Sequence, residues 1–313
     1  MMAQAVAIVG QVALVLFLSP LITGFSRTMK ARLQTRRGAG IWQPYRDLGK
    51  LLRKGMVIPD TASWIFAATP YVLFTTTLLA GLLIPTISAQ APLSAFGGVL
   101  AVVYLLALGR FFLALGGLDT GSSFGGMGSS REMTISAIAE PALMLAVFTV
   151  AIGAGSTNLS TVAQAALGQS WRFLAPSQML AFAALFIVLI AETGRIPVDN
   201  PATHLELTMI HEAMILEYSG PYLALIEWSA AMKQLVLMTL LVNVFFPFGL
   251  SPGWSQASTL LSLVLFSAKL LLLAAAVVLI ETTNAKLRLF RVPELLAVAF
   301  ILSALALIST FLF

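Results

Sequence analysis

The chain contains no cysteine among its 313 residues, and only 10% of its residues are charged. The absence of cysteine excludes disulfides, cysteine-held iron–sulfur clusters, thiolate nucleophiles and cysteine zinc sites. A soluble domain usually has about 25% charged and about 45–50% apolar residues, whereas 59% of this chain is hydrophobic. The composition therefore predicts a membrane protein.

Long apolar runs predict an all-α polytopic membrane protein with a single transmembrane domain over residues 1–313. A helix needs about 20 mostly apolar residues to cross a bilayer. About eight runs fit: 3–23, 68–88, 96–116, 132–153, 176–194, 222–247, 258–281 and 293–313. The first run is too long for a cleaved secretory signal, so we interpret it as a retained span. Because no internal repeat is visible, an inverted-repeat transporter has no support.

Basic residues are concentrated on one side of the predicted spans. Loop 24–67 carries Arg27, Lys30, Arg32, Arg36, Arg37, Arg46, Lys50, Arg53 and Lys54. The same side carries Arg131, Arg195, Lys286, Arg288 and Arg291, and the opposite side carries Arg172. The positive-inside rule assigns the basic side to the cytoplasm. We therefore expect a cytoplasmic (inner) membrane protein with both termini outside and large cytoplasmic loops at 24–67 and 194–221.

The basic first loop has two interpretations. It is either an orientation signal that contacts anionic lipid or a structured surface with a further role. The segment RRGAGIWQPYRDLGKLLRKGMVIP mixes glycine, proline and aromatic residues with its charges, and an orientation signal alone would not need that structure. Residues Gln43 to Leu52 are expected to form a short amphipathic helix on the membrane surface.

Ionisable groups inside the predicted spans are costly to bury and are therefore functional candidates. Arg110 and Glu140 are expected at the same depth, where they could pair, and we favour a structural ion pair for them. Lys233 and Lys269 are expected at the bilayer midplane, with no acid at their depth.

Carboxylates are expected along the cytoplasmic half of the membrane. Glu192 and Glu281 fall near the ends of spans five and seven, and Glu227 lies at the mouth of span six. Together with the midplane lysines, they are typical of a proton path that enters from the cytoplasm. The alternative is a set of structural ion pairs that hold helices together.

The segment ETGRIPVDNPATHLELTMIHEAMILEYSG concentrates ionisable groups. It holds both histidines, His204 and His211, and the carboxylates Glu192, Asp199, Glu206, Glu212 and Glu217. Pro197 and Pro201 end span five, and Asp199 or Asn200 is expected to cap a helix that runs to about Glu217 and stops at Gly220 and Pro221.

The two histidines fall on one face of this predicted helix, and Glu206 and Glu217 fall on nearly the opposite face. Two histidines seven residues apart, without other clear ligands, are weak support for a metal site, and they cannot clamp a haem iron from both sides. The alternative for the histidines is a hydrogen-bonded packing role.

Three motifs carry a family resemblance: RRGAG…Q…D…K in the first loop, GLDTGSSFGGMGSSRE, and ETGRIPVDNP…EL…EYSG. The chain resembles the membrane subunit that joins the two arms of respiratory complex I (subunit 1) and its homologue in membrane-bound nickel–iron hydrogenases of the formate hydrogenlyase, hydrogenase-4 and Ech type. Ala39 stands where the family often has proline. His204 stands in place of an acidic residue and the last motif is three residues longer, which resembles the hydrogenase branch.

The resemblance implies a membrane-anchor and proton-coupling subunit without catalytic or metal-binding residues or a cofactor of its own. Residues implied for the proton path are Glu140, Glu192, Asp199, Glu206, Glu212, Glu217, Glu227, Glu281, Lys233 and Lys269. Residues implied for docking of the redox arm are Arg36, Arg37, Gln43, Asp47, Lys50, Arg195, His204 and His211.

The implied partners are the hydrogenase large and small subunits, an iron–sulfur protein, antiporter-like membrane subunits and lipid, with no nucleic acid. The nickel–iron centre and the iron–sulfur clusters are expected in the partner subunits. The alternatives are a quinone-site subunit of a complex I-type NADH:quinone oxidoreductase and a passive scaffold.

Overall fold

The structure is a computed structural model that describes residues 2–167, 175–200, 210–251 and 256–312. Its helices in these ranges are α1 (Met2–Leu33), α2 (Gln43–Arg53), α3 (Trp64–Leu83), α4 (Val99–Asp119), α5 (Ser123–Gly153), α6 (Leu159–Leu167), α7 (Pro176–Glu192), α8 (His211–Ile215), α9 (Gly220–Phe245), α10 (Gln256–Thr283) and α11 (Val292–Leu312). Strand pairing in the same ranges is limited to two isolated bridges, Ser88 with Ser251 and Gly98 with Asn158.

The prediction of an all-α polytopic membrane fold is confirmed. Seven helices in the described part of the chain are long and apolar enough to cross a membrane, and α7 is a shorter apolar helix of 17 residues. These eight helices, α1, α3, α4, α5, α7, α9, α10 and α11, correspond to the eight predicted runs.

Two helices extend into segments that the sequence predicted as loops. Helix α1 continues to Leu33 instead of ending near residue 23, and Lys30 and Arg32 in its last turn complement the negative end of the helix dipole. Helix α5 begins at Ser123 instead of near residue 132, because the side chain of Ser122 accepts a hydrogen bond from the Gly125 amide at 3.1 Å and caps the helix. Polar composition lowers the hydropathy of these turns but does not stop the helices.

Helix α9 lies at the centre of the bundle. It packs against α1, α2, α3 and α7, and its side chains Met232 and Met238 are fully buried. The last two helices separate to either side: α10 packs against α1 and α9, whereas α11 packs against α5 and α7. Lys233 and Gln234, which follow Met232 on α9, are thereby held in the interior.

Hydrogen bonds between loops close the two ends of the bundle. At one end, the Lys286 ammonium donates to the Asp199 carboxylate at 2.8 Å. At the other end, the Ala89 amide donates to the Ser251 carbonyl at 2.9 Å. The first end also carries the basic first loop, so the assignment of this end to the cytoplasm stays a prediction from charge.

Hydrogen bonds beside a proline in α1 join it to α9 and to α2, the short helix that the sequence predicted. Pro20 has no amide hydrogen, so the Leu16 carbonyl loses its usual helical donor. The indole of Trp228 donates to that carbonyl at 3.0 Å, and the hydroxyl of Tyr45 on α2 donates to the next carbonyl, that of Phe17. These bonds join α1, α2 and α9 at one level.

The start of α2 approaches α1 so closely that only glycine fits at position 24. A Cβ atom on Gly24 would overlap the Ile41 carbonyl oxygen and lie 3.2 Å from the Pro44 Cδ atom. Gly10 on the same helix has open space around a built Cβ atom. Gly10 is therefore a suitable control position for an alanine substitution at Gly24.

We expect Gly24→Ala to displace the segment before α2 and to destabilise the protein by about 1–3 kcal/mol, because the added methyl meets backbone atoms. Gly10→Ala should be neutral or stabilising by up to about 1 kcal/mol, because alanine is the better helix former. Thermal unfolding in detergent and the rate of trypsin cleavage after Arg36 or Arg37 measure both effects. Equal melting temperatures and cleavage rates for the two variants would contradict the close packing.

Candidate functional site

The end of α7 separates two charged side chains, those of Glu192 and Arg195. Gly194 has a φ of +58°, the amide of Arg195 donates to the Ile190 carbonyl at 3.0 Å, and the amide of Gly194 donates to the Ala191 carbonyl at 3.1 Å. This pair of bonds is the Schellman motif, which needs a left-handed residue at the position of Gly194. Glu192 therefore stays on the last helical turn, while Arg195 lies beyond the chain reversal.

Five ionisable side chains form what we term the central charge cluster: Arg110, Glu132, Glu140, Glu192 and Lys233. The Arg110 guanidinium donates to Glu140 at 2.9 Å and to Glu192, and its Nε atom lies 3.6 Å from Glu132. Lys233 Nζ lies 2.8 Å from the Glu192 carboxylate. The Arg110 side chain is 6% exposed and that of Glu192 is 4% exposed. Two cations thus face three carboxylates in the interior.

A second group, which we term the Glu281 cluster, contains Lys30, Arg195, Gln234 and Glu281. The Glu281 carboxylate, whose side chain is almost fully buried, lies 3.0 Å from Arg195 and 3.0 Å from Lys30. Arg195 also donates to the Gln234 side chain at 2.6 Å. The cluster ties α1, α9 and α10 to the segment that follows α7.

The two clusters are linked by sequence neighbours. Glu192 and Arg195 stand on either side of the Gly194 reversal, and Lys233 and Gln234 are adjacent on α9. Helix α9 and the segment 192–195 at the end of α7 therefore each contribute one residue to each cluster, and a shift of either one changes both.

Asp199 fixes the beginning of α8. Its carboxylate accepts from the Ile210 amide at 3.0 Å, from the Asn200 amide at 2.8 Å and from Lys286 at 2.8 Å. Helix α8 packs closely on α5, where a Cβ atom on Gly128 would lie 2.9 Å from the Cβ atom of Ala213. These contacts hold His211, the first residue of α8, against the site.

Two cavities share His211, Thr193, Gly194 and Ala230 as lining residues. The smaller, of about 70 Å³, is also lined by Arg110, Glu132, Glu192, Asp199 and Lys233, and it has room for a few water molecules. The larger, of about 590 Å³, is also lined by Lys30, Arg36, Arg37, Arg195, Glu212, Glu227, Gln234 and Glu281. His211 thus lies between the central charge cluster and the Glu281 cluster.

Burial lowers the pKa of His211 below its usual value of 6.5, and the charge of Lys233 acts in the same direction. Glu132, Glu227 and Asp199 oppose the shift. The imidazole is therefore neutral at pH 7, with one ring nitrogen able to donate a hydrogen bond and the other able to accept one.

The expectation that no acid lies at the depth of the two lysines was wrong for Lys233. Lys233 has an acid at its depth, because α7 ends inside the bundle and brings Glu192 to within 2.8 Å of the ammonium. Lys269 donates to the Phe246 carbonyl at 2.7 Å, near the end of α9 opposite the charge clusters. Among the described residues it forms no ion pair.

The other predicted site residues are dispersed. Glu206 and His204 lie outside the described residues. Glu217 is exposed beyond α8, and Glu212 and Glu227 line the larger cavity. Arg36 and Arg37 are exposed at the rim of that cavity.

The docking candidates on α2 have separate partners. Gln43 donates to Asp47 at 2.8 Å, and Asp47 lies 4.0 Å from Arg27. Lys50 faces away from both cavities and lines an open basic depression instead. The predicted pairing of Arg110 with Glu140 is present.

Sequence reasoning missed Glu132, Gln234 and Lys30. Glu132 was assigned to the boundary of a span, and it lies inside because α5 starts earlier than the apolar run. Its position two turns before Glu140 on the same helix was the available signal. Within the described part of the chain, no three histidine, aspartate or glutamate side chains are placed to hold a metal ion.

The chain matches the family model described as NADH dehydrogenase over residues 5–312. It is 38% identical over 297 residues to hydrogenase-4 component C of Escherichia coli K12, across 95% of this chain and 92% of that protein. It is 36% identical over 298 residues to formate hydrogenlyase subunit 4 of the same organism, across 95% and 96%. Identity to an NADH-quinone oxidoreductase subunit of Caulobacter vibrioides is 27% over 247 residues, across 73% and 68%.

One similar solved structure is a chain of the membrane-bound sulfane sulfur reductase, an archaeal respiratory membrane complex. The two chains superpose with a TM-score of 0.86 over 98% of this chain and 99% of the other, at 21% sequence identity. At that identity the likeness supports the fold and carries no residue roles.

We expect Arg110→Gln to lower the free energy of unfolding by about 3–5 kcal/mol, because the carboxylates of Glu132, Glu140 and Glu192 would then face Lys233 alone. Adding Glu140→Gln restores the wild-type net charge of the cluster and should recover part of the loss. Arg288→Gln, at an exposed position, is the matched control and should change stability by less than about 0.5 kcal/mol. Thermal unfolding of the four proteins tests this, and an Arg110→Gln curve that overlays the Arg288→Gln curve would contradict it.

We expect His211 to titrate below pH 6.5 in the folded protein. Because folding disfavours its protonated form, His211 makes the protein less stable as pH falls below 6.5, where the unfolded chain takes up the proton first. His204→Gln leaves His211 as the one histidine of the chain, so the imidazole carbon shift in NMR reports it alone. The unfolded chain provides the reference, and a folded-state midpoint at or above 6.5 would contradict the burial of this side chain.

Proposed function

The chain belongs to the NADH dehydrogenase subunit 1 family, and we propose that it is the membrane-anchor and proton-coupling subunit of a multisubunit nickel–iron hydrogenase of the formate hydrogenlyase type. The branch is supported by higher identity to the two hydrogenase relatives than to the Caulobacter relative. Both hydrogenase relatives align with almost the whole of this chain.

The observation that carries the coupling role is the continuity between the two charge clusters. Ionisable groups lead from Glu281 and Arg195 at the larger cavity, past His211, to Glu192, Lys233 and Glu140. Proton transfer requires groups within hydrogen-bond reach or bridged by water. The direct contacts inside each cluster, and the small cavity that His211 lines beside Glu192 and Lys233, support such a path.

The exposure of the carboxylates gives the path a direction. The Glu192 side chain is 4% exposed, whereas that of Glu140, at the other arm of Arg110, is 34% exposed. Glu140 is therefore the acid in the central charge cluster that a neighbouring membrane subunit can approach. We assign the transfer of protons to antiporter-like partners to this residue.

The cytoplasmic subunits are proposed to dock over the larger cavity, where Arg36 and Arg37 are exposed at the rim. Those partners, and not this chain, would carry the nickel–iron centre and the iron–sulfur clusters, and the complex would reside in the inner membrane. A change of charge in the docked subunits acts first on the Glu281 cluster. Through Gln234 and Lys233 on α9, it then changes the field at Glu192.

We expect Glu140→Gln to abolish coupled proton movement while the complex still assembles. The substitution leaves two cations and two carboxylates in the central charge cluster, so the charges there balance, yet it removes a carboxyl group that can take up and release a proton. Proton uptake by inverted membrane vesicles during turnover and co-purification of a nickel–iron large subunit are the two measurements. Glu294→Gln, at an exposed position at the start of α11, is the matched control.

Unchanged proton movement in the Glu140→Gln complex would contradict the coupling role and leave a passive scaffold. Loss of assembly in Glu140→Gln, but not in Glu294→Gln, would also favour the scaffold, because it makes the charge structural. A quinone bound to the purified complex, with no nickel–iron subunit present, would replace the hydrogenase assignment with a quinone-reducing complex.

A further inference from the structure

Helix α2 has an exposed basic face that neither charge cluster uses. Pro44 and Leu48 of α2 are buried against the bundle, and the opposite face is open. Exposed basic residues on that face are Arg46, Lys50, Arg53 and Lys54. Together with Tyr45 and Gly49 they line one open depression that contains no carboxylate among its described residues.

The spacing of these residues concentrates their charge. Arg46, Lys50 and Arg53 follow one another at four and three residues, which places them on one side of a helix. Asp47, the one acid of α2, is turned away, with its carboxylate 2.8 Å from the Gln43 amide nitrogen and 4.0 Å from Arg27. The basic row therefore has no counter-charge within α2 and fits an anionic ligand.

Exposed apolar side chains lie beside the basic row. Trp42 is 64% exposed, and its ring contacts that of Tyr45 with centroids 5.5 Å apart. Leu52 is also exposed on α2, and Val57 is exposed just beyond the helix. Tryptophan and tyrosine with neighbouring lysine and arginine are typical of a segment at the membrane–water interface. A surface that faced only water would leave this apolar area without a partner.

The hydroxyl of Tyr45 fixes the depth of this face. It donates to the carbonyl of Phe17, which lies within the α1 span, and the Phe17 side chain beside it is 65% exposed on an apolar helix. The Tyr45 edge of α2 therefore adjoins the lipid-facing surface of α1. The basic row, on the adjacent face of the same short helix, then lies at the level of the phospholipid headgroups.

We propose that this face of α2 is a binding site for an anionic phospholipid. Arg46, Lys50 and Arg53 contact the headgroup phosphate, and Tyr45 and Trp42 lie against the upper acyl chain. Arginine matches phosphate with paired donors and lysine adds a point charge. The site stands independently of the proposed function, and it removes Lys50 from the docking surface that the family resemblance implied.

The test is lipid binding by the purified full-length chain in mild detergent, measured by native mass spectrometry with phosphatidylglycerol and with phosphatidylcholine. The wild type should bind phosphatidylglycerol in preference to phosphatidylcholine. The variant Arg46→Gln/Lys50→Gln/Arg53→Gln should bind phosphatidylglycerol about tenfold or more weakly, because each basic residue near the surface contributes to attraction of anionic lipid. Binding of phosphatidylcholine should be unchanged.

The matched control is Arg32→Gln/Arg36→Gln/Arg37→Gln, which removes the same charge from exposed positions of the same loop region and should keep the preference. The variant Arg46→Lys/Arg53→Lys retains the charge and should keep most of the preference for phosphatidylglycerol. If the triple glutamine variant on α2 does not fold, Lys50→Gln alone should weaken phosphatidylglycerol binding by about threefold or more.

Equal weakening in the two triple variants would overturn the site, because it would reduce the effect to net charge. Full retention of the phosphatidylglycerol preference in the triple glutamine variant on α2 would also overturn the site. Loss of a cytoplasmic partner subunit from the α2 variant, with lipid preference intact, would assign the face to an acidic protein instead.

Discussion

The burial of Arg110 is the constraint on which the interior of this protein depends. An isolated guanidinium in a membrane interior would be prohibitively costly, so carboxylates from neighbouring helices have to converge on it. Glu132 and Glu140 come from α5 and Glu192 from the end of α7. Because three acids exceed one arginine, Lys233 from α9 completes the arrangement. Four helices are thereby held in one register by charge instead of by apolar packing alone.

The same constraint explains why α7 is short. A helix that ended at the membrane surface would leave Glu192 in water, away from Arg110. The Gly194 reversal ends α7 inside the bundle and leaves Glu192 on its final turn, and Arg195 then finds Glu281. The local sequence ETGR therefore specifies both the end of the helix and the partners of two charges.

The fold could be predicted from the sequence because eight apolar runs of about the length of a bilayer leave little choice of architecture. The partners of individual charges could not. Depth was inferred from the ends of apolar runs. Because α5 begins before its apolar run, Glu132 was placed at the boundary of a span, and because α7 ends inside the bundle, Lys233 was left without its acid, Glu192. The pairing of Arg110 with Glu140 was predictable because both lie well inside their runs, where an error of a few residues does not change the depth. Gln234 has no charge to attract notice, and its role depends on the position of Arg195 beyond the α7 reversal.

Because Lys233 and Gln234 are adjacent on α9, this one helix contacts both charge clusters. Neighbouring residues on a helix point about 100° apart, so one turning motion of α9 moves the partner of Glu192 and the partner of Arg195 together. A rotation of α9 therefore changes both clusters at once. The two halves of the path are consequently coupled through the orientation of α9. A displacement in one cluster changes the other without any new contact between them.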